Sequence, residues 1–124
     1  MSSNTSASVC DPFSPFQLGP ITLRNRFIKS GANEGMCYEG APSKALLKHH
    51  RDLAAGGVAL TTVAYGAVAK EGRTLDNQIW IRREVLPDMK AMADAVHAEG
   101  GKISFQITHG GSFVTMCKVK GRTM

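Results

Sequence analysis

The chain has 124 residues, 43% of them apolar, and a formal net charge of +5. That length is ordinary for one domain and short of the roughly 250 residues of a complete (βα) barrel, while the apolar fraction excludes a disordered chain. The basic residues are scattered, with one modest cluster at Lys118, Lys120 and Arg122 and no aromatic side chains interleaved with it, so the charge does not single out a nucleic-acid partner.

The longest mostly apolar stretch without charge, residues 53–69, is interrupted by Gly56-Gly57. It also falls short of the about 20 residues that cross a bilayer. The opening is polar and Ser-rich, with no positive-then-apolar leader. Residues 1–10 read as a disordered tail ahead of one folded unit over 11–124. Cys10, Cys37 and Cys117 are odd in number and lack CxxC spacing, which supports neither a disulfide framework nor a zinc site. Reduced thiols in a cytoplasmic protein are the expectation.

In chain order, Phe16-Gln17-Leu18 and Ile21-Thr22-Leu23 predict two tiny strands about a Gly19-Pro20 turn. They form either a hairpin that plugs the bottom of a barrel or a loose arm. Residues 26–30 predict the first main strand. Pro42-Ser43 then opens a helix over 43–55, whose Leu46, Leu47, His50, Leu53 and Ala54 share one face. Gly56-Gly57 ends it, because glycine takes the left-handed cap conformation cheaply. Residues 58–63 predict a second strand. Residues 84–99 predict a second helix, with Val85, Met89, Met92, Ala93 and Val96 on one face and Pro87 tolerated in the first turn. Gly100-Gly101 ends it, and residues 102–107 predict a third strand. Trp80 falls in the loop before the second helix and reads as packing. His49, His50 and His97 sit on helices away from the strand ends, where metal ligation is not expected. The methionines of the second helix read as core rather than as cofactor contacts.

Strand, helix, Gly-Gly, repeated, means βαβ units with parallel strands and right-handed crossovers. Periodicity leaves a closed barrel and an open doubly wound sheet equally open.

Several segments together resemble the old yellow enzyme family of NAD(P)H:flavin oxidoreductases. Asp11-Pro12-Phe13 through Leu23-Arg24-Asn25-Arg26 is similar to that family's opening. Ile28-Lys29-Ser30-Gly31-Ala32-Asn33-Glu34-Gly35-Met36 is similar to the first βα loop of one subgroup. Ala55-Gly56-Gly57-Val58, Glu71-Gly72-Arg73, and Asp94 through Lys102 leading to Phe105-Gln106-Ile107-Thr108-His109-Gly110-Gly111 follow in the family's order. The resemblance spans residues 11–113. It implies the first βαβαβ portion of a (βα)8 barrel with an N-terminal hairpin, and FMN at the C-terminal ends of the strands. It implies NAD(P)H as reductant and an electron-poor alkene or similar small molecule as hydride acceptor.

The resemblance also assigns residues. Gln106, at the end of the third strand, offers donor and acceptor to the edge of the flavin pyrimidine ring; the plain alternative is a surface polar residue. Ser30, Gly31, Ala32 and Asn33 form the loop that lies against the flavin through backbone groups, where small residues permit close approach. Many members carry proline at Gly31 and threonine or cysteine near Asn33, so a redox-tuning role for Asn33 is not carried over. Tyr65, after the second strand, either lines the flavin or packs in the core with its hydroxyl satisfied. His109 reads as structural, and the Gly110-Gly111-Ser112 that follows it lacks the family's usual arginine.

The family's catalytic His pair, a later arginine and the phosphate loops fall beyond residue 124. No catalytic residue is therefore assigned. The chain on its own is expected to be incomplete: it holds FMN weakly if at all, does not turn over, and self-associates through exposed sheet edges. The rival expectations are an inert truncated product and a small α/β interaction module with no enzymatic role. No membrane or nucleic-acid partner is expected.

Overall fold

The computed structural model describes residues 9–115. The expected tail over residues 1–8, Cys117 and the basic cluster at Lys118, Lys120 and Arg122 lie outside the described residues. Val9 and Cys10 are exposed and have no regular structure.

The N-terminal hairpin is present. Strands β1 (Phe16–Leu18) and β2 (Ile21–Leu23) pair antiparallel, with Phe16 opposite Leu23 and Leu18 opposite Ile21. Gly19, at φ +55°, supplies the left-handed turn residue. Side chains alternate across a strand, so Phe16, Leu18, Ile21 and Leu23 share one face. Gln17 and Thr22 share the other, where the Thr22 hydroxyl donates to Gln17 Oε1 at 2.7 Å. Only Leu23 of the apolar four is fully buried.

Arg24 and Asn25 then tie the chain to the ends of both main helices. The Arg24 guanidinium donates to the Glu99 carbonyl at 2.7 Å, to the Val58 carbonyl at 2.9 Å, and to the Ala54 carbonyl. Asn25 Nδ2 donates to the Gly57 carbonyl at 2.7 Å. Helix C-termini leave carbonyls without intrahelical partners and carry partial negative charge, which a planar cation with five donors suits.

Strand β3 (Ile28–Lys29) follows, shorter than the expected 26–30 because Asn25 Oδ1 accepts from the Phe27 N–H at 3.0 Å and turns the chain there. A second small hairpin, β4 (Cys37–Tyr38) with β5 (Ala41–Pro42), turns through Glu39 and Gly40, both at positive φ. Helix α1 (Lys44–Ala55) starts where expected, with Ser43 Oγ accepting from the Leu46 N–H at 3.1 Å. It ends at Gly56, and Gly57, at φ +104°, turns the chain away.

Strand β6 (Leu60–Ala67) runs four residues past the expected end. Ala64, Tyr65 and Gly66 therefore lie within the strand rather than after it. A 3-10 turn (Lys70–Gly72) leads to β7 (Ile79–Trp80), so Trp80 sits in a short strand and not in a loop. A second 3-10 turn (Arg83–Val85) precedes α2 (Leu86–Ala98), which holds Pro87 in its first turn, as its missing N–H requires. Strand β8 (Lys102–Thr108) and a 3-10 turn (Gly111–Thr115) complete the described chain.

The central sheet is parallel. β8 lies along one edge of β6 for its whole length; on the other edge β3 pairs at Leu60 and Thr61, and β7 at Gly66 and Ala67. Helices α1 and α2 pack on one face of this sheet and on each other. Between them lies the core of Leu46, Val63, Ile79 and Met92, with Cys37, Leu47, Ile81, Ile103 and Phe105 around it. Because strand side chains alternate, Thr62, Ala64, Ser104 and Gln106 point to the opposite face, toward what is the interior in a barrel. On that face Ile28 is 49% exposed. Thr62 Oγ1 and Ser104 Oγ there lie 2.8 Å apart.

Candidate functional site

The C-terminal ends of the parallel strands meet at Ala64. This residue is the register partner of Gln106 on β8 and forms a parallel bridge with Asn33 of the loop after β3. Gly31 completes the cluster: a methyl there would stand 3.3 Å from the Ala64 Cβ and would collide with Gln106 Oε1. Glycine at residue 31 serves this close approach and not an unusual φ. Ser30, Gly31, Ala32, Asn33 and Gln106 are all exposed, and no hydrogen bond engages the Gln106 amide among the described residues.

Asn33 shapes its own loop. Its Oδ1 accepts from the Gly35 N–H at 3.2 Å, an Asx turn, and Asn77 Nδ2 donates to the Gly35 carbonyl at 3.0 Å. Tyr65 is drawn toward the other side. The register between β6 and β8 slips at Tyr65, which is a bulge, and its hydroxyl lies 3.3 Å from Thr74 Oγ1 in the loop after β6. Thr74 in turn donates from both N and Oγ1 to the buried Gln78 Oε1, at 2.8 and 3.2 Å. Of the six sequence-derived residues, the structure thus gathers Gly31, Asn33 and Gln106 about Ala64, sets Ser30 and Ala32 on the same exposed loop, and anchors Tyr65 by its hydroxyl away from them.

His109 has a structural setting. Its Nδ1 accepts from the Gly111 N–H at 3.0 Å, and its ring lies against Gly72, whose carbonyl accepts from the Gly110 N–H at 2.8 Å.

The sequence reading missed a polar cluster behind the loop. Glu34, 6% exposed at its side chain, pairs with the Lys29 ammonium, and Lys29 Nζ also donates to the Thr62 carbonyl at 3.0 Å. His50 is fully buried on α1, with Nδ1 2.7 Å from Thr61 Oγ1 and Nε2 3.5 Å from Glu34 Oε1. So His50, expected to stand apart from the strand ends, backs the loop that follows β3. Burial lowers its pKa to about 4 against the upward pull of Glu34, with Lys29 and His49 adding to the fall. Burial, and then Glu34, push the Cys37 thiol up to about 11, which disfavours its thiolate. The one available signal for the cluster was a lysine inside a β-type run, with a glutamate five residues on.

A groove of about 350 Å³ lies beside these residues, lined by Cys37, Tyr38, Glu39, Arg73, Asp76 and Asn77. None of the sequence-derived site residues lines it. Among the described residues no group of three His, Cys, Asp or Glu side chains could hold a metal ion, and no helix is long and apolar enough to cross a membrane.

Parallel strands in βα succession with both helices packed together on one face define an α/β protein of barrel type. The chain belongs to the NADH:flavin oxidoreductase / NADH oxidase family, whose model matches residues 11–121. It is 40% identical over 120 residues to the 4,4'-dithiodibutanoate disulfide reductase of Rhodococcus erythropolis, spanning 97% of this chain and 30% of that one. It is 38% identical over 99 residues to a probable N-methylproline demethylase of Rhizobium meliloti (strain 1021), of which it spans 15%. Among solved structures, the old yellow enzyme from Trypanosoma cruzi superposes with a TM-score of 0.76 at 25% identity, over 82% of this chain and 28% of that one. A 2-naphthoyl-CoA reductase superposes with a TM-score of 0.78 at 25% identity, over 82% and 16%. The fold is the first βαβαβ portion of a (βα)8 barrel with its N-terminal hairpin. The chain spans less than a third of the length of these relatives.

Proposed function

We propose that this chain supplies the pyrimidine-edge wall of an FMN site in an NAD(P)H-dependent oxidoreductase. The observation that carries the reading is the fit of Gly31 to Gln106 over Ala64, at the strand ends where barrel sites form. Bound FMN would accept hydride from NAD(P)H and pass it to an electron-poor alkene or a comparably reducible small molecule. The exposed Gln106 amide carries a donor and an acceptor, which matches the alternating N–H and C=O groups of that ring edge. Gly31 and Ala32 keep side-chain bulk away, so that the loop backbone can come up to a planar ring. Ser30 adds a hydroxyl on the same surface. Asn33, with Oδ1 committed to Gly35, holds the turn and contributes position rather than redox tuning. Tyr65 borders the site through its backbone in the bulge, its hydroxyl being held by Thr74. The acceptor extends to disulfides in the Rhodococcus relative, by its name. A cytoplasmic location goes with this reading, since NAD(P)H is the reductant.

The test is a titration of the purified chain with FMN, followed by flavin fluorescence, for the wild type and Gln106→Leu. Gln106 is exposed, so the substitution leaves the fold intact. Saturable binding that the substitution weakens about tenfold supports the reading, that being roughly one charge-free hydrogen-bonded pair. Binding indifferent to residue 106 would exclude the assignment.

A further inference from the structure

The loop after β3 is tied to β6 by a buried carboxylate that the proposed function leaves unused. Glu34 Oε2 accepts from the Ala64 N–H at 3.2 Å, while the Glu34 N–H donates to the Ala64 carbonyl at 3.4 Å. Side chain and backbone of one residue thereby engage both peptide groups of another. Behind it, Glu34 Oε1 meets the Lys29 ammonium and stands 3.5 Å from His50 Nε2. Lys29 is anchored to the Thr62 carbonyl at 3.0 Å, and His50 to Thr61 at 2.7 Å. The carboxylate is therefore held by the Ala64 N–H and the Lys29 ammonium, with the neutral His50 ring beside it making no hydrogen bond through Nε2.

A buried ion pair is weak evidence for stability, because desolvation offsets much of the attraction, and apolar replacements of like volume are often neutral. What such a pair does fix is geometry. Ala64 is the residue that Asn33 bridges, that Gln106 faces across the ladder, and against which Gly31 packs. Any movement of Glu34 relative to Ala64 changes the height of residues 31–33 over β6, and with it the gap to Gln106.

We propose that Glu34 is a positioning residue for the flavin edge: through Ala64 it sets the spacing between Gly31 and Gln106. This rests on the FMN reading above. Removing Glu34 alone would leave the part-buried Lys29 ammonium without its counter-charge and could unfold the chain, so the test uses neutral backgrounds. Lys29→Met with Glu34→Gln removes both charges and keeps an acceptor for the Ala64 N–H. Lys29→Met with Glu34→Leu removes the charges and the acceptor. Each is titrated with FMN at matched folded fraction, judged by circular dichroism, and the visible spectrum of the flavin is recorded at saturation.

The Gln variant is expected to bind within about twofold of wild type, and the Leu variant about tenfold more weakly, the cost of one buried donor left unmade. The bound-flavin spectrum should move in the Leu variant alone, which loss of stability by itself would not cause. Equal affinities and spectra in the two variants would overturn the proposal. If the wild type binds FMN too weakly to titrate, as expected of a chain that spans less than a third of its relatives, affinity decides nothing. The positioning claim is then decided without ligand, by the Gln106 side-chain amide resonances. A displacement in the Leu variant alone supports it, and identical resonances overturn it.

Discussion

Gly31 and Gln106 are fitted to one another: the Gln106 amide oxygen occupies the place where a Cβ on residue 31 would stand. The obstacle is the far end of a flexible, exposed side chain, so it can move. Gly31→Ala should therefore cost little stability, under about 1 kcal/mol, where the same change against a fixed core would cost more. It should nevertheless turn the Gln106 amide out of place and weaken FMN binding about tenfold. Urea unfolding and an FMN titration on the same preparation check both halves. A stable variant with unchanged affinity would show that the amide need not sit where it does.

Arg24 reaches carbonyls at the ends of both helices. Arg24→Met keeps much of the aliphatic stem and removes the donors to Glu99, Ala54 and Val58. Hydrogen bonds to charged groups contribute roughly 1.5–3 kcal/mol each and overlap when they share one group, so a loss of about 3 kcal/mol is expected. Arg24→Lys should recover less than half of it, because a single ammonium cannot present a planar fork to three acceptors. Denaturant midpoints at constant m-value measure the loss.

His50 makes stability depend on pH. Its pKa falls from an ordinary 6.5 to about 4, so the folded state keeps it neutral where the unfolded state protonates it. Between these values the unfolded chain binds more protons, and stability declines as pH falls from 6.5 toward 4, then levels off. The full span is worth at most about 3 kcal/mol, at 1.36 kcal/mol per unit. His50→Gln, which keeps a partner for Thr61, should flatten this part of the profile relative to wild type. Urea midpoints across that range for both proteins provide the check. Parallel slopes would show that His50 does not titrate this way.

Ile79 belongs to the four-residue core although it comes from a two-residue strand. Ile79→Ala should cost about 2–5 kcal/mol, the range for large-to-small changes in a core. It should also loosen the pairing of β7 with β6, seen as faster amide exchange at Ile81, whose N–H donates to the Ala67 carbonyl at 2.9 Å.

Both helices were legible because their apolar spacing and Gly-Gly stops are local signals. Ser43 and Pro87 sit where helix chemistry puts them. The parallel order followed from alternation. The end of β6 was hidden because its last residues, Ala64 to Ala67, are held by partners far along the chain: Gln106 to Thr108 on one edge, Ile79 and Trp80 on the other. β7 carries no periodicity at two residues and exists only as a partner of that extension. Gln106, Gly31 and Asn33 were singled out through motif resemblance, and their convergence on Ala64 is a tertiary fact. Lys29 and Glu34 were passed over because charged residues are expected at the surface, and the Glu34 carboxylate is acceptable inside because Lys29 pairs with it; His50 was placed on the buried helix face, but its neighbour Glu34 was not foreseen.

The grip of Arg24 on the Glu99 carbonyl spans 75 positions of sequence. Ribosomes add about 5–20 residues per second, so several seconds separate the birth of this guanidinium from that of its most distant acceptor. Through that interval the segment around Arg24 has no completed anchorage, and the first helix can be clasped before the second has been made. The N-terminal arm is thus made before the two helices it fastens, a seal applied once both are in place.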